Sequence, residues 1–229
     1  MKRLLRGHCL LVCAAWCLFL VLPALAQNPS STKVETPSIK VGDTWTYNRI
    51  DGWQKTKDFT TVLVVTVVTD GEIRTESMRT DNGEMTIGTR NKELNRRRTE
   101  TGDRKFDWDP YYPSYVFPLE IGKSWEKEVT FTRNFDDRKV VAQLRGEVIG
   151  REKVSVPAGS FDALKIVVKG SYNGSMGSVW GGRWSGQQSE TTWYAPEVKN
   201  FVKSIYEDAD TFMSRTKVIW ELVEYKVTQ

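Results

Sequence analysis

Histidine and cysteine are confined to the first seventeen residues of this chain. The single histidine is His8, and the three cysteines are Cys9, Cys13 and Cys17. If this segment is a removable secretion signal, the remaining protein has no imidazole base, no thiolate nucleophile and no disulfide. It also lacks the residues of an ordinary zinc, iron or copper site. The sequence therefore favours binding, scaffolding or carboxylate chemistry over other kinds of catalysis.

The N-terminal segment has the three parts of a secretion signal. A basic start with Lys2 and Arg3 precedes an apolar run over 9–22, and Ala24-Leu25-Ala26 has the small-x-small pattern of a cleavage site. We therefore predict a signal peptide over 1–26, with an uncleaved membrane anchor as the alternative. A mature chain without cysteine suits a bacterial periplasm, because small animal secreted domains usually depend on disulfides.

Removal of the signal peptide would leave 203 residues that are nearly neutral. Three positive charges lie in 1–26, so the formal charge of +4 would fall to +1. This net balance gives no reason to expect nucleic acid or an anionic membrane as a partner. The polar stretch 27–38 is predicted to be a flexible leader. A single all-β domain is predicted over 39–229, with no transmembrane span after cleavage.

After the leader, apolar and β-branched residues alternate with a period of two. No window keeps apolar residues at helical spacing over three turns. The predicted fold class is all-β, as a large antiparallel, strongly curved sheet or an open barrel or sandwich. Asp70-Gly71 and Asn82-Gly83 are strong hairpin signals, and they predict a meander of strands over 61–69, 72–80 and 84–90.

The strands differ in how they are expected to be covered. Segment 59–68 is apolar on both faces, which predicts burial of both, whereas 139–150 alternates and predicts one solvated face. Pro157-Ala158-Gly159 predicts another hairpin. The prolines within 109–113 predict an interruption of strand pairing and a long connection in the middle of the chain.

Two seven-residue segments, 39–45 and 119–125, resemble each other. One ends in Gly-Asp-Thr-Trp and the other in Gly-Lys-Ser-Trp. We predict that the glycine forms a turn and that the tryptophan begins a strand as a large apolar side chain. The similarity indicates either two related halves, over 39–115 and 116–229, or a shared strand-entry turn.

Tryptophan is abundant, since eight of the nine in the chain lie outside the predicted signal. Most are expected in the core, where large apolar side chains contribute most of the burial. A sharper hypothesis is that a curved sheet encloses a cavity for an acyl chain or another hydrophobic or amphipathic ligand. The residues proposed to bind this ligand are Trp45, Trp125, Trp193, Tyr194 and Trp220.

A glycine- and serine-rich stretch over 173–184 carries two further tryptophans, Trp180 and Trp184. It is predicted to be either a long hairpin tip or a lid over a cavity. Exposed tryptophans in such a loop would contact a partner or a ligand.

Acidic residues offer a weaker catalytic hypothesis. Asp107 and Asp109 flank a tryptophan, and a glycosidase needs two carboxylates held at a defined separation. A loop of aromatic residues with solvated acids would have the same sequence. The acidic cluster over 207–210 lacks the glycine and the terminal glutamate of a calcium loop. No metal site and no cofactor are expected.

The phrases Val-Pro-Ala-Gly-x-Phe at 156–161 and Trp-Tyr-Ala-Pro at 193–196 resemble the signature of uncharacterised secreted bacterial proteins of the DUF3108-like type. The likeness covers about the last half of the chain and extends weakly to 41–45. Lys199 stands where this pattern usually has glycine. The resemblance implies an all-β envelope protein, with a strongly curved sheet like that of the lipoprotein carriers. It brings no catalytic residue with it.

Three functions are therefore considered. The first is a non-catalytic periplasmic or secreted carrier for a lipid or another apolar small molecule. The second is an interaction or structural protein of the cell envelope, which would dock a partner protein through its loop tryptophans or a sheet edge. The third is a carboxylate-dependent hydrolase.

Overall fold

Twelve antiparallel strands form a closed barrel in the computed structural model, which describes residues 33–136, 138–175 and 182–228. The strands are β1 (Thr44–Asp51), β2 (Lys57–Val68), β3 (Ile73–Arg79), β4 (Met85–Arg90), β5 (Arg96–Thr101), β6 (Arg104–Tyr112), β7 (Ser124–Arg133), β8 (Lys139–Val156), β9 (Gly159–Ser175), β10 (Arg183–Ala195), β11 (Asn200–Asp210) and β12 (Arg215–Lys226). One turn of 3-10 helix at Pro196–Val198 follows β10. The predicted antiparallel all-β fold is confirmed, and the barrel is closed rather than open. No helix in the described ranges is long and apolar enough to cross a membrane.

Each strand pairs with its neighbours in sequence, and β1 pairs with β12 to close the barrel. All odd-numbered strands therefore run toward the same end. We call that end the rim; it carries the turns β1–β2, β3–β4, β5–β6, β7–β8 and β11–β12. The opposite end, which we call the base, carries the connections β2–β3, β4–β5, β6–β7, β8–β9 and β10–β11.

The meander predicted from the two hairpin signals is present as β2, β3 and β4. Gly83 adopts a left-handed conformation (φ 72°) in the β3–β4 turn, which glycine tolerates without a steric penalty. The Asp70-Gly71 turn at the base joins β2 to β3, where Thr69 N donates to Glu72 O at 2.9 Å. Local turn chemistry thus fixed these boundaries to within a few residues.

One prediction about strand burial is wrong, and one about strand pairing is confirmed. The second face of β2 is not fully covered, since Val62 and Val64 are half-buried and Val67 and Val68 are exposed at the base. The interruption of pairing predicted at 109–113 is confirmed, although β6 extends to Tyr112: pairing with β7 ends at Asp109, and on the β5 side the register passes from Asp107, opposite Arg98, to Tyr112, opposite Arg96. The prolines are accommodated by this strand, whose Asp109-Pro110 bond is cis.

The β6–β7 pairing is short, and so is the β5–β6 pairing on the other side of β6. The β6–β7 pairing joins 106–109 with 130–133, whereas β8 and β9 pair along almost their entire lengths. After this short contact the chain crosses the base as the long connection 113–123. Strand β6 is therefore joined to the barrel wall by few residue pairs on both sides.

The connection 113–123 closes the base of the barrel. Its apolar residues Tyr115, Phe117 and Leu119 are buried in the core. The side chain of Asn95, which is fully buried, holds Tyr115 by two hydrogen bonds: Nδ2 donates to Tyr115 O at 2.7 Å, and Tyr115 N donates to Oδ1 at 2.8 Å. Tyr194 packs edge-on against Tyr115 and Phe117, with ring centroids 5.5 and 5.6 Å apart. The base is consequently filled by packed side chains.

The two similar sequence segments form the same turn at the base. Gly42 and Gly122 have φ of 90° and 86°, and each donates its N–H to a strand carbonyl, Val65 O at 2.9 Å and Val148 O at 2.8 Å respectively. The shared motif therefore encodes a strand-entry turn. Whether the two halves are a true duplication stays a prediction.

The described end of the predicted leader is attached to the base. Val34 and Leu119 exchange two backbone hydrogen bonds of 2.9 and 2.8 Å. This contact fixes one point of the 27–38 segment against the plug formed by 113–123.

Candidate functional site

The barrel interior contains a cavity of about 360 Å³. Residues directly opposite each other on paired strands share a face of the sheet, so the register identifies which side chains point inward. The cavity reaches from Arg133 and Trp184, near the rim, to Tyr112, the last residue of β6. Its lining residues are Trp108, Tyr112, Val129, Phe131, Arg133, Val140, Ala142, Leu144, Tyr172, Trp184, Gln188, Tyr206, Asp208 and Thr216.

Two aromatic side chains of the cavity wall lie over glycines on the neighbouring strand. Trp184 is directly opposite Gly174, and a Cβ at Gly174 would lie 2.2 Å from the Trp184 indole. Tyr172 is directly opposite Gly186, where a Cβ would lie 2.3 Å from the ring. Because these glycines lack a Cβ, both rings approach the sheet closely. The two rings therefore lie against the wall, and space remains open in the middle of the barrel.

One side of the cavity carries a hydrogen-bonded carboxylate. Asp208 accepts hydrogen bonds from Tyr172 Oη at 3.1 Å and from Tyr206 Oη at 3.4 Å. Tyr206 Oη also lies 3.2 Å from Gln188 Oε1. Burial raises the pKa of Asp208 above its ordinary value, and the two tyrosine hydroxyls partly oppose this by stabilising the charged form. The cavity therefore combines an apolar wall with one polar side.

The inner end of the cavity contains buried polar atoms without hydrogen-bond partners. Tyr112 is 4% exposed, and within the described residues its hydroxyl forms no hydrogen bond. The guanidinium of Arg96 stacks over the rings of Tyr112 and Trp108, at 5.3 and 4.8 Å from their centroids, and its Nε is also unpartnered in this part of the chain. Leaving such groups unpaired away from water is costly, so they point to a site for a polar group.

Glu190 lies close to Tyr112 in the same buried region. Its Oε1 accepts a hydrogen bond from Ser204 Oγ at 3.1 Å, while its Oε2 has no partner among the described residues. Burial raises the pKa of Tyr112 well above its ordinary value, and the nearby negative charge of Glu190 adds to the effect. The Tyr112 hydroxyl therefore stays protonated at neutral pH and faces the Glu190 carboxylate.

Three of the proposed ligand-binding residues lie near the base, outside the cavity lining. Trp45 is 1% exposed, and its Nε1 donates to Val198 O at 2.9 Å. Tyr194 is also 1% exposed and packs against the base connection. Trp125 is half-buried, and its Nε1 donates to Pro113 O at 3.0 Å. These side chains therefore hold the base together.

The other two proposed residues lie on opposite faces of the barrel. Trp193 is on the outer face, where Nε1 donates to Glu152 Oε2 at 2.8 Å and the indole lies near Lys165 Nζ, 5.5 Å from the ring centroid. Trp220 points inward and packs edge-on against Phe59 at 6.0 Å. It shares the interior with the cavity but is not among the residues that line it.

The tryptophans proposed for a loop contact have different outcomes. Trp184 belongs to β10 and lines the cavity. Trp180 lies outside the described residues. Sequence reasoning missed Trp108, which is inward-facing on β6, because it treated the surrounding segment as a loop.

The acids proposed for hydrolysis lie on the outer face of β6. Asp107 pairs with Arg98 on the neighbouring strand, and Asp109 is exposed. Neither belongs to the cavity lining.

A larger concave surface of about 820 Å³ lies on the outside of β7–β12. Several of its charged side chains pair within the surface or at its edge, for example Arg145 with Glu126 at 3.6 Å and Lys217 with Glu207 at 2.6 Å. Such exposed pairs are typical of a solvated protein surface. The interior cavity is therefore the stronger candidate for a small molecule.

No family model and no curated protein matches the chain. Among solved structures, a predicted lipoprotein of Parabacteroides distasonis ATCC 8503 is 15% identical with a TM-score of 0.47, covering 85% of this chain and 99% of that chain. A predicted exported protein of Bacteroides fragilis with a YmcC-like fold is 14% identical with a TM-score of 0.40 over the same shares. The hypothetical lipoprotein YmcC of Escherichia coli is 9% identical with a TM-score of 0.44, covering 80% and 84%. These likenesses assign neither family nor function, and the resemblance at 156–161 and 193–196 stays a prediction.

Proposed function

We propose that this protein is an extracytoplasmic carrier that holds a small amphipathic molecule inside the barrel without transforming it. The observation that carries the proposal is the interior cavity of about 360 Å³, with mostly apolar walls and a few polar groups close together. This volume is within the range of about 300–1,000 Å³ that is typical of small-molecule sites. The predicted signal peptide supports a periplasmic or secreted location.

The distribution of side chains favours an amphipathic ligand over a purely apolar one. Val129, Val140 and Ala142 provide an aliphatic wall, whereas Gln188 and Tyr112 provide polar atoms. An apolar molecule would leave the Tyr112 hydroxyl unpaired, and a polar group at one end of the ligand would satisfy it. Binding without transformation also agrees with the outward placement of the acids considered for hydrolysis.

A cavity-filling substitution tests the carrier proposal. In Ala142→Phe the new ring would occupy the cavity, whereas Val141→Phe places the same ring on the outer face of the same strand. Each protein is purified without detergent after export, extracted with organic solvent and examined by mass spectrometry. We expect an extracted molecule from the wild type and from Val141→Phe, and at least about tenfold less from Ala142→Phe. Thermal unfolding of all three establishes that each is folded.

The polar end of the ligand is tested by Tyr112→Phe. This change removes a hydroxyl that forms no hydrogen bond in the described structure, so unfolding should be little affected. Ligand affinity should fall about tenfold, because one buried hydrogen bond to the ligand is lost. The matched control is Tyr111→Phe, since Tyr111 contacts Lys127 outside the cavity lining. Absence of any extracted molecule, together with failure of fatty acids and lysophospholipids to displace a fluorescent probe, would overturn the proposal.

A further inference from the structure

The inner end of the cavity brings two arginines and a carboxylate together from opposite walls of the barrel. Arg96 is directly opposite Arg90 on β4 and Tyr112 on β6. Directly opposite residues share a face of the sheet, and Tyr112 lines the cavity, so all three side chains are on the inner face. Glu190 is on the inner face of β10, where it is directly opposite Tyr206, another lining residue. The inner end is therefore surrounded by charged groups of both signs.

None of these charges is neutralised by an ion pair. In the part of the chain that the structure describes, Arg90, Arg96 and Glu190 form no salt bridge. Arg90 Nη1 donates to Leu94 O at 3.0 Å, and Glu190 Oε1 accepts from Ser204 Oγ. The charges nevertheless act on one another. Burial lowers the pKa of Arg90, the positive charge of Arg96 adds to this, and the negative charge of Glu190 opposes it.

The charges around the cavity are balanced. Among the lining residues, only Arg133 and Asp208 are charged, and Arg133 Nε donates to Asp136 Oδ1 at 3.0 Å. Counting Asp208 with the two arginines and the glutamate of the inner end gives two positive and two negative charges. An ion of either sign placed there would lie near a buried charge of its own sign, which is unfavourable away from water. The surroundings therefore favour an uncharged group.

The atoms without partners at the inner end include both donors and an acceptor. Tyr112 Oη and Arg96 Nε donate, and Glu190 Oε2 accepts, yet none of them forms a hydrogen bond within the described residues. A ligand carboxylate would accept from the donors but would be repelled by Glu190. A ligand ammonium would donate to Glu190 but would be repelled by Arg96. A hydroxyl or a primary amide both accepts and donates, and it carries no charge.

We propose that the polar end of the ligand is an uncharged group that both donates and accepts hydrogen bonds, such as the hydroxyls of a glycerol ester, placed between Tyr112, Arg96 and Glu190. A ligand oxygen accepts from Tyr112 Oη or Arg96 Nε, and the ligand donates its hydrogen to Glu190 Oε2. The apolar chain of the ligand lies along the aliphatic wall. This inference rests on the carrier function proposed above, and it adds the class of molecule: neutral amphipathic molecules rather than ionised ones.

A comparison of three probes with the same apolar chain tests the inference. Monolauroylglycerol is uncharged, laurate is anionic and dodecylammonium is cationic at neutral pH. Each displaces a fluorescent probe from the exported protein, at concentrations below those at which it forms micelles. We expect monolauroylglycerol to bind the wild type at least about tenfold more tightly than either ion, because each ion is placed near a buried like charge.

Substitutions that change one charge should shift this selectivity in a defined direction. Glu190→Gln removes a negative charge and keeps an acceptor for Ser204, so the affinity for laurate should increase about tenfold relative to that for monolauroylglycerol. Arg96→Gln should increase the relative affinity for dodecylammonium by a similar factor. The matched controls are Glu126→Gln and Arg97→Gln, since both side chains are exposed and lie outside the cavity lining. The controls should keep the selectivity of the wild type.

The outcomes separate this inference from the carrier function. Unfolding temperatures establish that each variant is folded, and the comparison of probes on the wild type needs no substitution. The inference alone is overturned if laurate or dodecylammonium binds the wild type as tightly as monolauroylglycerol, if the extracted molecule has an ionised head group, or if Glu190→Gln leaves the relative affinities unchanged. If none of the probes binds and no molecule is extracted from the wild type, the carrier function fails and this inference fails with it.

Discussion

Trp125 lies directly across from Gly146 in the β7–β8 pair, and a Cβ at Gly146 would lie 2.1 Å from the Trp125 indole. This is a third instance of the relationship seen for Trp184 with Gly174 and for Tyr172 with Gly186. In each case an inward aromatic residue covers a glycine on the neighbouring strand. Cross-strand pairing of this kind compensates for the missing glycine side chain and fixes the ring against the wall.

The first prediction concerns Gly174. In Gly174→Ala the new methyl group would collide with the Trp184 indole, which would have to move into the cavity. We expect a loss of about 1–3 kcal/mol in the free energy of unfolding, measured by urea denaturation, together with weaker ligand binding. Gly150→Ala is the matched control, because nothing lies within 4 Å of its added Cβ. Equal stability of the two variants would contradict the wall arrangement.

The second prediction separates two tryptophans that the sequence proposed as equivalent. Trp45→Phe removes the buried hydrogen bond to Val198 O and leaves space at the base, which should lower the free energy of unfolding by about 2–3 kcal/mol. Trp193→Phe changes a side chain on the outer face, so it should alter the free energy of unfolding by less than about 1 kcal/mol. Urea denaturation of both variants provides the comparison. A larger effect at Trp193 would contradict the assignment of Trp45 to the core.

The third prediction concerns pH and Asp208. Because burial raises the pKa of this carboxyl, the folded protein binds its proton more tightly than the unfolded chain does. Its contribution to the free energy of unfolding therefore falls as pH increases from the ordinary pKa of an aspartate through the raised pKa. Asp208→Asn removes this titration. The unfolding temperature of the variant relative to the wild type should increase from about pH 3 to pH 7.

If the difference in unfolding temperature between Asp208→Asn and the wild type is the same across that pH range, the pKa of Asp208 is not raised by folding and the prediction is contradicted. Asp162→Asn provides the comparison, because Asp162 is an exposed carboxylate on the outer face that pairs with Arg151 at 3.1 Å. Asp208→Asn also keeps a hydrogen-bond acceptor for the tyrosine hydroxyls. The measurement therefore reports the ionisation of Asp208 more than the loss of its hydrogen bonds to the tyrosines.

The sequence predicted the fold class and several hairpins because these depend on local signals. Alternation identifies which residues share a face, and glycine-containing dipeptides mark the turns. Closure of the barrel was not predicted, since it depends on pairing between β1 and β12 at opposite ends of the chain. No local pattern reports such a contact.

The candidate site was predicted less well, for reasons that differ among residues. Trp193 and Tyr194 are adjacent in a strand, so alternation alone would have placed one of them outside. Trp184 was hidden by the surrounding glycines, which indicated a loop rather than a strand. Arg96 begins a run of three arginines, and such a run usually lies on a solvated strand edge. A register shift between Arg96 and Arg98 instead accompanies its inward placement over Tyr112. Bulges of this kind are set by the partner strand.

The short pairing between β6 and β7 has a consequence for how a ligand enters the cavity. Few backbone hydrogen bonds must break there for the two strands to separate, and Trp108 and Phe131, 5.2 Å apart between ring centroids, lie on either side of that contact. Local opening is easiest where the fewest interactions hold an element in place. Separation of β6 from β7 would open the barrel wall laterally while the other strands keep their register. A bulky ligand would then enter the cavity without unfolding of the barrel.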